Sequence, residues 1–311
     1  MKVLFIDTTH PILYSIFENK GWEVVVKDKA TKEELASELN DYQGIIVRSR
    51  FELDKDFITK GTNLQFIGRP GAGLENIDVE FAESKGIQVF RSPEGNRDSV
   101  AEQGIGMLLM LFNKLQQANI QVKAGIWDRL ANRGEELMGK TVGLIGYGVM
   151  GKAMAQRLSG FGVTCIAYDK YLTNYGNEHA KAVSLKVLYE KSEVVSLHTP
   201  LTEETKDMIN EAYLSKFKNP IYFLNTARGQ SVVLYDLVKL MKNGKVMGAC
   251  LDVLEYEKTS FESMFNENKT EAFEYLAQAE NVILSPHVAG WTHQSNVKIA
   301  QFLGEKIVKE F

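Results

Sequence analysis

Short apolar runs recur along the chain and are separated by stretches with helical spacing, a pattern that predicts strands alternating with helices. In the first hundred residues these runs are Val3 to Ile6, Trp22 to Val26, Gly44 to Val47, Leu64 to Ile67 and Ile87 to Phe90. Helical patterns lie between them at Thr31 to Asn40, which opens with a Thr31-x-x-Glu34 capping box, and at Val79 to Lys85. The alternation predicts a parallel α/β domain.

A second series of apolar runs predicts a second domain of the same class. Its predicted strands are Thr141 to Ile145, Val163 to Ala167, Val194 to Leu197, Ile221 to Leu224, Val246 to Cys250 and Val282 to Leu284. A helical stretch from about Ser99 to Lys123 joins the two series, and its pattern fits a buried helix, a bridge between domains or a dimer face. The last predicted helix, Ser295 to Phe311, follows the final strand and can return to the first domain. The expected fold class is therefore α/β, with two doubly wound parallel sheets.

Three glycines follow the first strand of the second series in a G-x-G-x-x-G pattern. Gly146 permits the tight turn, Gly148 lets backbone N–H groups approach a pyrophosphate, and Gly151 lets the next helix pack closely on its strand. That helix is predicted from Lys152 to Ser159, and its N-terminus favours phosphate. A strand, this turn and a helix together predict a dinucleotide-binding site.

Asp169 supports the same interpretation. It ends the next apolar run, 18 residues after Gly151, where an acidic side chain hydrogen-bonds a ribose 2′-hydroxyl. Because a carboxylate at this place repels a 2′-phosphate, the sequence favours NAD over NADP. Lys170 beside it keeps NADP open as the alternative.

Composition and charge exclude several classes of function. The 311 residues are 44% hydrophobic, enough for two cores, and the net charge of −4 gives no reason to expect nucleic acid or a membrane as partner. The longest apolar stretch in a helical setting, Ile105 to Phe112, is too short to cross a bilayer. The N-terminus lacks a cleavage-site pattern, so the cytoplasm is the expected compartment. Cys165 and Cys250 lie in predicted buried strands and offer neither a disulfide framework nor a metal site.

Further motifs follow one another in a specific order between residues 45 and 295: Arg69 to Asp78, Ser99 to Glu102, Gly139 to Gly148, His198 to Thr202, Asn225 to Gly229, Leu251 to Val253 and Ser285 to His287. In this order they resemble the D-isomer-specific 2-hydroxyacid dehydrogenases. The resemblance implies a flavodoxin-like substrate domain at residues 1–98 and 290–311, into which a Rossmann NAD-binding domain at residues 99–289 is inserted. It also implies a homodimer that acts on a small 2-hydroxy or 2-keto acid.

Three residues of these motifs suit the reduction of a 2-keto acid. Arg228 suits binding of the carboxylate, because a planar guanidinium can bind it bidentately and polarise the adjacent carbonyl. His287 suits the proton donor, because imidazole exchanges protons near neutral pH. Glu257 suits the partner that fixes the imidazole tautomer. Glu257 is preferred to Glu255 because 29 residues separate it from Arg228, the family's usual distance, although Lys258 stands where the family usually has proline.

The resemblance also implies the cofactor and substrate contacts. Besides the glycines and Asp169, the expected NAD contacts are Val149, Met150, His198, Thr199, Pro200, Thr205, Thr226, Ala227, Asp252 and Gly290. Asp252 is expected near the nicotinamide amide. The contacts expected near the adenosine half are His198, Thr199, Pro200 and Thr205. The expected substrate contacts lie in loops after strands of the first domain: Arg48, Ser49, Arg69, Ala72, Gly73 and Asn96.

Several arginines in those loops favour a substrate that carries a phosphate as well as a carboxylate. Besides Arg48 and Arg69 they include Arg50 and Arg97, for which surface ion pairs are the alternative role. The preferred reaction is oxidation of D-3-phosphoglycerate to 3-phosphohydroxypyruvate, as in serine biosynthesis. Reduction of glyoxylate or hydroxypyruvate is the alternative, and a non-catalytic NAD-sensing protein is an alternative of another class.

Overall fold

The apolar runs of the sequence form parallel β-strands in two separate sheets. The structure, a computed structural model, describes residues 1–257 and 270–311. These residues divide into two units, one of residues 1–97 and 291–311 and the other of residues 98–257 and 270–290. The first unit is therefore built from both ends of the chain. Within the described ranges, no helix combines the length and the apolar character that a membrane crossing requires.

The first unit contains a five-stranded parallel sheet in the order β2-β1-β3-β4-β5. Its strands are β1 Lys2–Phe5, β2 Glu23–Val26, β3 Gly44–Ile46, β4 Phe66–Arg69 and β5 Gln88–Arg91. Its helices are α1 Pro11–Asn19, α2 Lys32–Glu38, α3 Lys55–Thr59, α4 Val79–Ser84 and α12 His293–Glu310. This strand order is the flavodoxin-like one, in which ligands bind beyond the carboxyl ends of the strands.

Local sequence signals account for the start of one helix and for the buried strands of this unit. The predicted capping box is present: the Thr31 side chain accepts the N–H of Glu34, and the Glu34 carboxylate accepts the N–H of Thr31. The central strands are buried, so they appear in the sequence as continuous apolar runs rather than alternating ones. The C-terminal helix α12 packs its buried Leu303 and Ile307 into the core of this unit.

The second unit contains a seven-stranded parallel sheet in the order β12-β11-β10-β9-β6-β7-β8. Its strands are β6 Thr141–Ile145, β7 Thr164–Tyr168, β8 Lys181–Ala182, β9 Val194–Leu197, β10 Ile221–Asn225, β11 Val246–Leu251 and β12 Val282–Leu284. Its helices are α5 Arg97–Phe112, α6 Leu115–Lys123, α7 Val149–Leu158, α8 Leu185–Lys191, α9 Glu211–Leu214, α10 Leu234–Lys242 and α11 Glu271–Gln278. The sheet order reverses at β6, which makes the end of β6 the expected place for a dinucleotide. The predicted α/β class with two parallel sheets is confirmed.

The single helix predicted from Ser99 to Lys123 is wrong. The chain forms two helices, because Lys114 adopts a left-handed conformation with φ of 50° that no α-helix accommodates. The first of the two, α5, contributes its buried residues to the core of the second unit. Gly104 permits this packing, since a Cβ there would lie 2.8 Å from Cε of Met154. No residue of α6 is buried.

Candidate active site

The glycine turn that follows β6 has a separate structural reason for each of its three glycines. Gly146 has φ of +90°, and a Cβ on it would lie 2.6 Å from the carbonyl oxygen of His198. A Cβ on Gly151 would lie 2.3 Å from the oxygen of Gly146, so only glycine lets α7 approach its strand this closely. Gly148, the N-cap of α7, has open space where its Cβ would lie. The turn is thus tight at Gly146 and Gly151 and open at Gly148.

Two buried hydroxyl groups lie in the loops that follow the neighbouring strands β9 and β10. The side-chain oxygens of Thr199 and Thr226 are buried and have no hydrogen-bond partner among the residues that the structure describes. Thr199 also adjoins the glycine turn, since its Cγ2 lies 3.3 Å from the position of a Cβ on Gly146. Buried polar atoms without a partner are costly, so such atoms indicate a ligand that supplies the missing bonds. Open space at Gly148 and these hydroxyls therefore fit a dinucleotide, with Val149 and Met150 in the first turn of α7.

Asp169 follows β7 and fixes the loop at the end of that strand. Its Oδ2 accepts the N–H of Tyr147, which lies within the glycine turn, at 2.8 Å. Its Oδ1 accepts the N–H groups of Tyr171 and Leu172 at 3.0 and 3.1 Å. Burial opposes ionisation, but these N–H groups prevail and lower the pKa of Asp169. The group is a carboxylate that joins the ribose position of the motif to the glycine turn.

The segment after β9 holds several of the predicted cofactor contacts. Nε2 of His198 lies 2.8 Å from Oγ of Ser196, and burial lowers the pKa of His198 to about 4. His198 is therefore neutral at physiological pH and unsuited to donate a proton. In the turn that follows, the hydroxyl of Thr205 donates to the oxygen of Pro200 and accepts the N–H of Thr202. Thr205 thus uses its hydroxyl to hold its own turn.

Asp252 is buried at the end of β11 and organises the loop that carries His287. Its Oδ1 accepts hydrogen bonds from Gln103 Nε2, Ser285 Oγ and the N–H of Val288, and its Oδ2 accepts the N–H of Ala289. Its backbone oxygen accepts the N–H of His287 at 2.7 Å. A buried carboxylate with this many donors rigidly positions the segment that leads to Gly290.

His287 and Glu257 form a direct pair. Nδ1 of His287 lies 2.6 Å from Oε2 of Glu257, and the other oxygen, Oε1, accepts the N–H of Leu254 at 2.6 Å. His287 has φ of +54°, a conformation that non-glycine residues rarely adopt and that is found at functional sites. The alternative Glu255 instead accepts the N–H of Leu234. Lys258, the departure from the family pattern, lies outside the described residues.

Arg228 lies in the loop after β10. The oxygen of Arg228 accepts a hydrogen bond from Asn225 Nδ2, and Oδ1 of Asn225 accepts the N–H of Ala227, so the loop is fixed from the strand end. A Cβ on Gly229 would lie 1.9 Å from the oxygen of Leu254, so the Arg228 loop directly abuts the loop of Glu257. Because β10, β11 and β12 are neighbours in a parallel sheet, their carboxyl ends bring these loops to one edge.

The predicted substrate residues lie in loops of the first unit. Oδ2 of Asp7 accepts the N–H groups of Arg48 and Ser49 at 2.6 and 3.1 Å, which fixes the loop after β3. The Arg48 guanidinium lies 4.8 Å from the ring centroid of Trp291, and Arg69 Nε donates to the Arg48 oxygen at 3.3 Å. Two cations, Arg48 and Arg69, are therefore neighbours.

The other predicted residues of this unit are distributed differently. Ala72 and Gly73 lie in the loop after β4, where the Ala72 oxygen accepts a hydrogen bond from Arg91. Asn96 lies directly after the short 3₁₀-helix Pro93–Gly95. The expectation that Arg50 joins a cluster of substrate-binding arginines, or else forms a surface ion pair, is wrong. Its guanidinium donates to the backbone oxygens of Ile6, Lys27 and Ala30, so it is a structural residue.

Sequence reasoning missed several residues that contact the predicted site residues or their loops within each unit. They are Asp7, Asn225, Gln103, Ser285 and Trp291. A polar residue directly after a strand is a usable signal for Asp7 and Ser285. Gln103 and Trp291 offer no such signal, because their partners are more than a hundred residues away in the chain.

Comparisons with known proteins identify the family of the chain. The family model described as "D-isomer specific 2-hydroxyacid dehydrogenase, NAD binding domain" matches residues 105–289. A hydroxypyruvate reductase of Thermotoga maritima is 36% identical over 94% of this chain and 92% of that protein. A D-3-phosphoglycerate dehydrogenase of Archaeoglobus fulgidus is 34% identical over 99% of this chain, which spans only 57% of that protein. The crystal structure of an Aquifex aeolicus D-lactate dehydrogenase, complexed with NAD and lactic acid, matches with a TM-score of 0.82 and 28% identity over 99% of this chain and 94% of that one.

Proposed function

The chain belongs to the D-isomer specific 2-hydroxyacid dehydrogenase family, and we propose that its substrate pair is D-3-phosphoglycerate and 3-phosphohydroxypyruvate. The family assignment makes it an NAD-dependent oxidoreductase. The observation that carries the proposed chemistry is the His287–Glu257 pair, 2.6 Å apart, beside the Arg228 loop. We further assign residues 1–98 and 290–311 to the substrate domain and residues 99–289 to the NAD-binding domain.

The proposed mechanism gives each of the three side chains one task. Arg228 binds the substrate carboxylate bidentately and polarises the neighbouring carbonyl oxygen. A carboxylate can only accept a hydrogen bond, so Glu257 keeps a hydrogen on Nδ1 of His287 and leaves Nε2 to exchange a proton with the substrate oxygen. Nε2 gives that proton in reduction and takes it in oxidation. When bound, the cofactor would supply the hydride as NADH in reduction and would accept it as NAD⁺ in oxidation.

The glycine turn supports the cofactor contacts proposed from the sequence. A substitution at Gly148 tests whether this turn binds the pyrophosphate. Gly148→Ala is expected to weaken NADH binding by about 10-fold or more, because the added methyl occupies the space proposed for the pyrophosphate. Folding is expected to be unaffected, because Gly148 has φ of −74° and, within the described part of the chain, a Cβ there would meet no atom within 4 Å apart from its local backbone. NADH titration followed by protein fluorescence, with Tm measured in parallel, checks both.

Gly160→Ala is the matched control, because a Cβ there would also meet no atom of a non-neighbouring described residue within 4 Å, while Gly160 lies past the end of α7. It is expected to bind NADH like the parent protein. Unchanged NADH binding in Gly148→Ala would remove this turn from the phosphate site.

The proposed substrate is supported by the neighbouring cations of the first unit. Arg48 and Arg69 are linked through the Arg48 backbone, and the Arg48 loop is fixed by Asp7. A phosphate group binds well to such guanidinium groups. We propose Arg48, Ser49, Arg69, Ala72, Gly73 and Asn96 as the substrate contacts.

Hydroxypyruvate is the second candidate substrate, and one observation favours it. The Thermotoga maritima relative named hydroxypyruvate reductase is matched over 92% of its length, whereas the phosphoglycerate dehydrogenase relative is matched over 57%. Hydroxypyruvate has the same carboxylate and carbonyl for Arg228 and His287, but it lacks the phosphate.

A keto-acid panel separates the candidates. The protein is mixed with NADH and 3-phosphohydroxypyruvate, hydroxypyruvate or glyoxylate, and the loss of NADH absorbance is followed. We expect the highest kcat/KM with 3-phosphohydroxypyruvate. Arg48→Gln is expected to lower that value by about 10-fold or more, the contribution of a charged hydrogen bond, and to leave hydroxypyruvate turnover nearly unchanged. A preference for hydroxypyruvate that Arg48→Gln leaves intact would establish the second candidate, and NADH binding without any turnover would favour the NAD sensor.

We also propose a cytoplasmic homodimer with a role in serine biosynthesis. The dimer is supported by α6 and the segment after it, whose Leu115, Ile120, Val122, Trp127 and Leu130 are all exposed. Apolar surface of this extent commonly marks an interface. Light scattering on the intact chain tests it, and a molar mass equal to that of a single chain would contradict it.

A further inference from the structure

Two loops of the second unit are joined by a three-residue contact. Oε2 of Glu204 accepts hydrogen bonds from Lys170 Nζ at 2.7 Å and from the Tyr171 hydroxyl at 2.5 Å. Lys170 and Tyr171 follow β7, and Glu204 follows β9. These strands flank β6 in the sheet, and β6 carries the glycine turn. The contact therefore links the loops on either side of the strand that leads to the phosphate site.

The contact adjoins the position proposed for the adenosine ribose. Asp169 precedes Lys170 and accepts the N–H of Tyr171. The carboxylate proposed to bind the ribose and the two residues that contact Glu204 therefore lie in one short segment. Enzymes of this fold that use NADP place a cation here for the 2′-phosphate. Lys170 is a cation in the corresponding place of this chain.

In the structure, Lys170 already forms an ion pair with Glu204. The Lys170 ammonium is paired with Glu204, whose hydrogen bond raises the pKa of Lys170, while Lys170 and then Tyr171 lower the pKa of Glu204. Both partners are therefore ionised at neutral pH. The turn that presents Glu204 is fixed by Thr205, whose hydroxyl bonds Pro200 and Thr202.

We propose that Glu204 is a specificity-determining residue, which holds Lys170 away from a 2′-phosphate and thereby selects NAD over NADP. The proposal rests on the placement of the ribose at Asp169. Asp169 repels the 2′-phosphate directly, and Glu204 acts through Lys170 by removing the cation that would offset this repulsion. Asp169 and Glu204 thus both favour NAD over NADP, the first by repelling the 2′-phosphate and the second by pairing with Lys170.

Glu204→Gln tests the proposal by removing the charge while keeping a side chain that can accept from Tyr171. We expect the NADPH dissociation constant to fall by about 5- to 20-fold, the scale of one charge pair at an exposed site, and the NADH constant to change less than about 2-fold. The gain in NADPH affinity is expected to shrink as salt is raised, because exposed charges are screened. Calorimetric titration of each dinucleotide measures these constants without any keto acid. The result is therefore independent of which substrate the protein turns over.

Two further variants separate the Lys170 contact from a general change in charge. Glu203→Gln removes the same charge from the exposed neighbouring residue, for which no contact with Lys170 is seen, and it is expected to leave the NADPH to NADH ratio unchanged. Lys170→Met combined with Glu204→Gln is expected to lose the gain. An equal gain in Glu203→Gln, a gain that persists without Lys170, or no gain in Glu204→Gln would each overturn the proposal.

Discussion

Replacing His287 with glutamine is expected to lower kcat by about 10²- to 10⁴-fold, the usual contribution of a positioned acid–base group. Glutamine can still accept or donate a hydrogen bond, but it cannot exchange a proton with the substrate oxygen. NADH affinity is expected to change little, because the glycine turn and the loops after β7 and β9 lie at other strand ends. Steady-state turnover of the best keto acid, with a separate NADH titration, measures the two effects.

His179→Gln is the control for this substitution. His179 lies in the same unit, and its ring lies 3.4 Å from the adjacent Glu178 carboxylate, away from the residues of the proposed mechanism in sequence. Its replacement is expected to leave kcat unchanged. Near-normal turnover in His287→Gln would remove His287 from the mechanism, whereas loss of NADH binding along with turnover would indicate that the substitution disturbs the loop held by Asp252.

The strands of both units were predictable, except for the two-residue edge strand β8, which was missed. Central parallel strands are covered on both faces and leave continuous apolar runs in the sequence. Helix ends were less predictable where they depend on backbone conformation. The helix breaks at Lys114 because this residue adopts a left-handed conformation, and no glycine or proline at this position signals the break in the sequence. Helix α7 begins at Val149, three residues before its predicted start at Lys152, so the last glycine of the motif, Gly151, lies inside the helix.

The candidate site could be anticipated as far as its residues lie at strand ends. Arg228, Glu257 and His287 follow β10, β11 and β12, which are neighbours in the sheet. The supporting contacts could not be anticipated, because they join distant segments. Gln103 reaches Asp252 from α5, and Arg50 is bound by backbone oxygens that no side-chain pattern reveals. Sequence thus indicates which groups are present, and tertiary packing decides which cations remain available.

Replacing Arg228 with glutamine is expected to lower kcat/KM for the keto acid by about 10²- to 10⁴-fold. Two charge-assisted hydrogen bonds to the carboxylate are lost, and each contributes about 1.5–3 kcal/mol. The guanidinium donates a hydrogen bond within the loop, to the Ala227 oxygen at 2.7 Å. Stability is expected to fall only slightly when it is removed, because the loop is also fixed through the backbone oxygen of Arg228 and through Gly229. Steady-state kinetics and a thermal melt test these two statements together.

Arg228→Lys refines the test, because it keeps the charge but loses the planar pair of donors. If the carboxylate is bound bidentately, the lysine variant recovers only part of the loss, and most of the remaining deficit lies in kcat because a misoriented carbonyl is poorly placed for His287. A lysine variant with nearly full activity would show that charge alone is required. Activity retained by Arg228→Gln would mean that another cation binds the carboxylate, and the shared edge of β10, β11 and β12 would then no longer explain the reaction.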